Sequence, residues 1–259
     1  MPILSRRKKT TDRPLHAKTA QHGGPDNVIV EVGPEGLKYH VQAAFLTHYS
    51  EYFSKALNGP WKEAEDKVVR LVDIDPDVFS LFIEWLYTQN MPSDEVLWAN
   101  KFDPDDNMWK IQLYVFADRF AVLSLRTSLN RKISLEDFWT HAAIIYAFDN
   151  LPPTDPILDL FVDLHYATWT SPKRVQMDPV TMHNLPKDFL IRFYQRVGYE
   201  CKRGTIPTKN FELDRCSYHG HVDDKEKASC WYRHMSRTKK RVMSRLDRVK
   251  VDTDDDDDG

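Results

Sequence analysis

The chain has 259 residues and a mass of 30.4 kDa, and 41% of its residues are hydrophobic and 29% charged. This composition is typical of a globular chain with one large or two small domains. The longest apolar run, residues 142–148, is far shorter than the roughly 18 residues of a membrane span, and the N-terminus lacks the apolar stretch of a secretory signal. We therefore expect no membrane association. Three cysteines are too few for a disulfide scaffold, which predicts a reducing intracellular compartment, nuclear or cytoplasmic.

The formal net charge of −3 is an average over four unlike blocks. Residues 1–25 carry +5, residues 26–232 carry −9, residues 233–250 carry +7 and the last nine residues carry −6. The pattern predicts an acidic body between two basic segments. Residues 1–25 lack periodic apolar positions, so we predict a disordered basic arm.

From residue 26 the pattern predicts a β-hairpin followed by helices. Two alternating apolar runs flank the turn Gly33-Pro-Glu-Gly36, as in a hairpin. Helical spacing predicts one helix ending before Asn58-Gly-Pro60. A short strand follows at 68–72, and then a helix capped by Asp75 and Pro76. We predict a loop over 90–107 and two further helices ending near residue 133.

The residues in this order resemble the BTB/POZ domain. The matching pieces are Asp26-Asn-Val-Ile-Val-Glu-Val32, Tyr39-His40, Phe45-Leu46, Tyr49-Ser-Glu-Tyr-Phe53, Val69-Arg-Leu-Val-Asp73, Asp75-Pro76, Trp85-Leu-Tyr-Thr88 and Tyr114-Val-Phe-Ala-Asp-Arg-Phe120 with Leu125. The resemblance covers residues 26–133 and implies an α+β fold, a helical cluster capped by a small β-sheet. It also implies that Asp26 and His40 lie at a charged pocket on the dimer side. Taken alone, an aspartate and a histidine on strands are more often structural polar side chains.

Residues 134–200 are predicted to form an all-helical extension. Ser134-Leu-Glu-Asp137 has the pattern of a capping box, and Thr154 can cap a helix that starts after Pro156. A last amphipathic helix is predicted after Pro186, with Phe189, Leu190, Phe193 and Tyr194 on one face. This order is similar to the helical extension of many fungal BTB proteins.

The segment 201–235 carries the most specific chemical pattern of the chain. Cys216, His219, His221 and Cys230 offer two thiolates and two imidazoles, the ligands that zinc prefers in tetrahedral sites. The spacing belongs to no standard zinc-finger class, and the two histidines point opposite ways if the segment is extended. The alternative is a loop with free thiols and surface histidines. Zinc is the one cofactor that the sequence suggests.

The tail 236–259 is basic and then acidic. Four of the basic residues Arg237, Lys240, Arg241, Arg245 and Arg248 fall on one face if the tail is helical, the exception being Lys240, an arrangement that can neutralise phosphates. The alternative is charge that only solvates the tail. Nucleic acid is therefore an open partner.

The function implied by the resemblance is protein–protein interaction. The BTB domain is expected to pair with itself or a related domain, and docking to a cullin-type ubiquitin ligase scaffold as substrate adaptor is a further expectation. The alternative is a nuclear regulator associated with DNA or chromatin through the basic segments. The residues contain none of the standard hydrolase or phosphate-binding motifs, so we predict no catalytic residues and no enzymatic activity.

Overall fold

The computed structural model describes residues 27–103, 106–136, 138–168, 183–204, 213–219, 221 and 224–230. The predicted basic arm and the charged tail lie outside these ranges. Among the described helices, none has the length and apolar character needed to cross a membrane.

A three-stranded sheet opens the described chain. Strands β1 (Asn27–Val32) and β2 (Leu37–Gln42) are antiparallel, with Asn27 opposite Gln42 and Val32 opposite Leu37. Strand β3 (Val68–Leu71) runs parallel to β1 on its other side, which gives the order β2-β1-β3. The alternating valines of β1 are buried, because successive side chains of a strand point to opposite faces. The predicted hairpin is confirmed.

The predicted single helix after the hairpin is in fact two helices. Helix α1 (Ala43–Tyr49) ends at Ser50, whose φ of −126° and ψ of 120° are extended. The Ser50 hydroxyl accepts a hydrogen bond from Phe53 N and so caps helix α2 (Glu51–Asn58). It also donates to the backbone oxygen of Phe120 at 2.6 Å. This long-range bond accounts for the break, which local spacing could not reveal.

The next elements surround an aromatic core. Helix α3 (Lys62–Asp66) precedes β3, and helix α4 (Pro76–Thr88) starts where predicted, with the Asp75 side chain accepting from Asp77 N at 2.7 Å. Helices α6 (Met108–Arg119) and α7 (Leu123–Ile133) follow. Phe82 of α4 contacts Phe116 of α6 with ring centroids 4.8 Å apart. The predicted loop over 90–107 is wrong in part, since it contains helix α5 (Asp94–Ala99), anchored by the buried Leu97.

In the described part of the chain after α7, the predicted extension contains the helices α8 (His141–Asn150), α9 (Pro156–Thr168) and α10 (Lys187–Arg203). Two predicted caps are wrong. Ser134 does not start a helix but ends α7, and α8 is capped by Thr140, which accepts from Ala143 N. Asp155, rather than Thr154, accepts from Ile157 N at 2.9 Å at the start of α9. Helix α10 continues past residue 200, the predicted end of the extension.

The extension is joined to the first part of the chain by a buried ion pair. Arg126 Nη2 of α7 lies 2.7 Å from Asp155 Oδ2, whose side chain is fully buried. The Tyr114 hydroxyl of α6 donates to the same carboxylate at 3.2 Å. Because Asp155 also caps α9, one carboxylate links α6, α7 and the extension. The α+β class with a small sheet and a helical extension is as predicted.

Candidate metal centre and interaction surface

The Cys/His segment folds back onto the end of α7. A 3-10 turn (Arg215–Tyr218) and a short helix α11 (224–230) carry the cysteines. Tyr218 is buried, and its hydroxyl donates to the carboxylate of Asp163 on α9. The side chain of Asn130 donates to the backbone oxygen of Tyr218 at 3.1 Å. These bonds attach the turn to both the last helix of the first domain and the extension.

Backbone oxygens at the end of α7 are bound by the same segment. Arg215 donates to the backbone oxygens of Ser134 and, at 2.9 Å, of Glu136. A cation is favourable at this place, since the last carbonyl groups of a helix lack partners within it and carry partial negative charge. The position of the 3-10 turn is therefore set by the helix end.

The four predicted ligands lie together in space. The ligand atoms of Cys216, His219, His221 and Cys230 all lie within 4.8 Å of one another, and His219 Nδ1 is 3.2 Å from Cys230 Sγ. Because the segment is not extended, the two histidines do not point in opposite directions. His219 N donates to Cys216 O at 3.2 Å and His221 N donates to His219 O at 3.0 Å. These two turns place the two imidazole rings 5.3 Å apart.

Each imidazole has one nitrogen held by a neighbour. His219 Nε2 lies 2.6 Å from Ser134 Oγ, and Ser134 donates its own proton to Arg131 O at 3.0 Å. The serine oxygen therefore accepts from His219 Nε2–H, which leaves the lone pair on Nδ1 facing Cys230. His221 Nδ1 lies 3.9 Å from Glu226 Oε1, and Glu226 is paired with Arg131 at 3.1 Å. His221 Nε2 is buried without a hydrogen-bond partner among the described residues.

The cysteines of the cluster are free thiols, as in the alternative interpretation, but both are buried. Cys216 is 3% exposed and Cys230 is 8% exposed. Burial, followed by the hydrogen bond that the Cys216 thiol donates to Cys230, raises the pKa of Cys216 to about 12. Without a bound cation the thiol is therefore neutral, whereas a metal ion would hold it as a thiolate.

The sequence analysis missed the residues that orient the histidines. Ser134 was assigned to a capping box, and Arg131 and Glu226 carried no signal, because the contact between α7 and α11 joins residues 95 positions apart in the sequence.

The other predicted sites receive less support. Asp26 lies outside the described residues, and His40 is half-buried on β2 opposite Ile29. The five basic tail residues also lie outside, so the DNA-associated alternative stays a prediction.

An exposed apolar surface on α10 was also missed. Phe189 is buried, as predicted for the helix face, but Leu190, Ile191 and Tyr194 are exposed, Tyr194 to 79%. The sequence pattern placed Leu190 and Tyr194 with Phe189 on one apolar face. The sequence of this 17-residue helix contains more apolar positions than one packed face requires. That excess is the sequence signal for the exposed surface.

Comparison with known proteins identifies the first domain. Residues 20–133 match the family model of the BTB/POZ domain. A curated relative, the BTB and MATH domain-containing protein 15 of Caenorhabditis elegans, is 41% identical over 61 residues. That region is 24% of this chain and 22% of the relative, so the chain spans less than a quarter of the relative's length. The similarity to fungal proteins stays a prediction.

Proposed function

We propose that this chain is a protein-interaction module whose BTB/POZ domain pairs with a second copy of itself or with a related BTB domain. The observation that carries the proposal is the BTB/POZ match over residues 20–133, on a fold with the expected sheet and helical cluster. BTB domains commonly self-associate or bind other BTB proteins. The acidic body contains this domain, so the interaction is assigned to it rather than to the basic segments.

The geometry of the sheet is consistent with pairing. The order β2-β1-β3 leaves β2 at one edge of the sheet, and in the described part of the chain no further strand covers it. An uncovered edge presents backbone groups that another strand can bind. Helix α1 follows β2 directly and exposes Ala44 and His48. This edge and helix form the surface on which we expect the second domain.

Co-purification of two differently tagged full-length chains tests the pairing. We expect each tag to recover the other chain after co-expression. Because the resemblance implies a charged pocket at Asp26 and His40, D26A and H40A should lower the recovered fraction. The control E35A removes an exposed charge from the hairpin turn and should leave recovery unchanged. The proposal would be contradicted if wild-type chains fail to recover each other and, in addition, no other BTB protein is recovered from a native extract.

Docking to a cullin-type scaffold is the further role that the resemblance implies. The resemblance implies that this docking depends on a hydrophobic-x-acidic motif in the connection before the last two helices of the BTB domain. Here that connection contains α5, with Leu97 buried and Lys101 paired with Asp77 at 3.1 Å. Affinity purification from a native extract should recover a scaffold subunit if the adaptor role is correct. Repeated purification without one would refute that role and leave self-association standing.

A further inference from the structure

The segment 213–230 ends in a buried cluster of two thiols and two imidazoles that the interaction function does not use. The most distant of its ligand atoms are 4.8 Å apart. A tetrahedral zinc ion, with Zn–S of about 2.3 Å and Zn–N of about 2.0 Å, spaces two sulfurs about 3.8 Å apart and two nitrogens about 3.3 Å apart. The ligand atoms therefore need to approach one another by at most about 1.5 Å, a movement that side-chain rotations can supply. The distance of 3.2 Å between His219 Nδ1 and Cys230 Sγ is already short enough for both atoms to bind one zinc ion.

A hydrogen bond to His219 and a carboxylate beside His221 select one nitrogen of each histidine. Ser134 holds His219 by Nε2, so Nδ1 is the ligand atom. Glu226 faces Nδ1 of His221, so the buried and unpartnered Nε2 is the ligand atom. Partners of this kind, a serine and a carboxylate on the outer nitrogen, fix the orientation of metal-bound histidines. The His221 side chain is 8% exposed, which leaves its inward nitrogen without access to bulk water.

We propose that Cys216, His219, His221 and Cys230 bind one structural Zn²⁺ ion that fastens the segment 213–230 to the end of α7. Two thiolates balance the charge of the ion, and four protein ligands leave no open position, which is typical of a structural rather than a catalytic site. The N2S2 set in a compact arrangement favours zinc over the oxygen-binding ions Mg²⁺ and Ca²⁺.

The need for such a fastening follows from the size of the 3-10 turn. The turn has only four residues, whereas isolated helices shorter than about 12 residues are marginal in water. The metal would join Cys216, in the turn, to Cys230 of α11.

Metal analysis of the full-length chain, prepared with reduced thiols, tests the proposal. We expect close to one zinc per chain, and close to none in C216S and H221A. The controls C201S and H183A remove an exposed cysteine of α10 and an exposed histidine of the turn before α10, and should keep the wild-type zinc content. Cobalt in place of zinc should give the visible bands of a tetrahedral thiolate site, lost in C216S. A reduced wild-type chain that takes up no zinc, or C216S with as much zinc as C201S, would overturn the proposal.

A second variant covers the case in which the ligand variants do not fold. S134A keeps all four ligands but removes the partner of His219 Nε2, and should weaken zinc affinity by about 10–100-fold in a chelator competition. S128A is the matched control, because the Ser128 hydroxyl bonds to Ser124 O on the exposed side of the same helix. Equal affinities of S134A and S128A would contradict the assigned orientation. A Cys216–Cys230 disulfide in the freshly prepared wild-type chain would contradict the metal site itself.

Discussion

The buried carboxylate of Asp155 gives the sharpest stability prediction. In D155A the Arg126 guanidinium loses its contact at 2.7 Å, and α9 loses its cap at Ile157 N. Breaking a buried pair from one side costs about 3–5 kcal/mol, and losing a cap costs about 1 kcal/mol. Arg126 keeps Asp118 at 2.8 Å and is 28% exposed, which relieves part of the cost. We therefore expect D155A to lower the free energy of unfolding by about 3 kcal/mol in total, the lower end of the range for breaking a buried pair.

The matched control is D159A on the same helix. Asp159 pairs with Arg192 at the same distance, 2.7 Å, but its side chain is 65% exposed. Exposed pairs contribute about 0–1 kcal/mol. Urea denaturation followed by circular dichroism measures both variants, and the double variant R126A/D155A completes a thermodynamic cycle. If D155A and D159A differ by less than about 0.5 kcal/mol, a difference in keeping with independent surface substitutions, then the buried pair does not join the two parts of the chain as argued.

Two further predictions concern the interior. S50A removes both the cap of α2 and the 2.6 Å bond to Phe120 O, so it should lower the free energy of unfolding by about 2 kcal/mol. The exposed S128A should change it by less than about 0.5 kcal/mol, and equal losses would refute the role of Ser50. Burial raises the pKa of Tyr114 and of Tyr218 above the ordinary value of a phenol, 10.0. The unfolded chain therefore releases these protons first, and stability present below about pH 10 is lost as the pH rises further. Ultraviolet titration should show both phenols ionising only as the chain unfolds, and ionisation near pH 10 in the folded chain would contradict their burial.

Local sequence patterns sufficed for elements whose cause is local. The β1–β2 hairpin follows from alternating valines around Gly33 and Gly36, both of which adopt positive φ, and α4 starts at Asp75 and Pro76 as a capping pattern requires. The features that interrupt the predicted elements have causes that are distant in the sequence. Ser50 ends α1 by bonding to Phe120, 70 residues away. Helix α5 was missed because its acidic flanks have the composition of a loop.

The candidate metal ligands show the same division. Residue type and spacing were enough to nominate all four, since two of the three cysteines and two of the ten histidines lie within residues 216–230. Their convergence depends on the turn between His219 and His221 and on the end of α7 at Ser134. Ser134 was assigned to the wrong helix because the three residues after it fit a capping box. The role of Ser134 in orienting His219 could therefore be found only from the folded structure.

The molar mass of the full-length chain in solution tests the central claim most directly. Light scattering coupled to gel filtration, over a range of protein concentrations, measures it without a tag or a partner. Self-association through the BTB/POZ domain predicts a mass of twice 30.4 kDa, with the H40A variant shifted towards the single chain. A mass of 30.4 kDa at every concentration, in the presence of bound zinc, would contradict self-association.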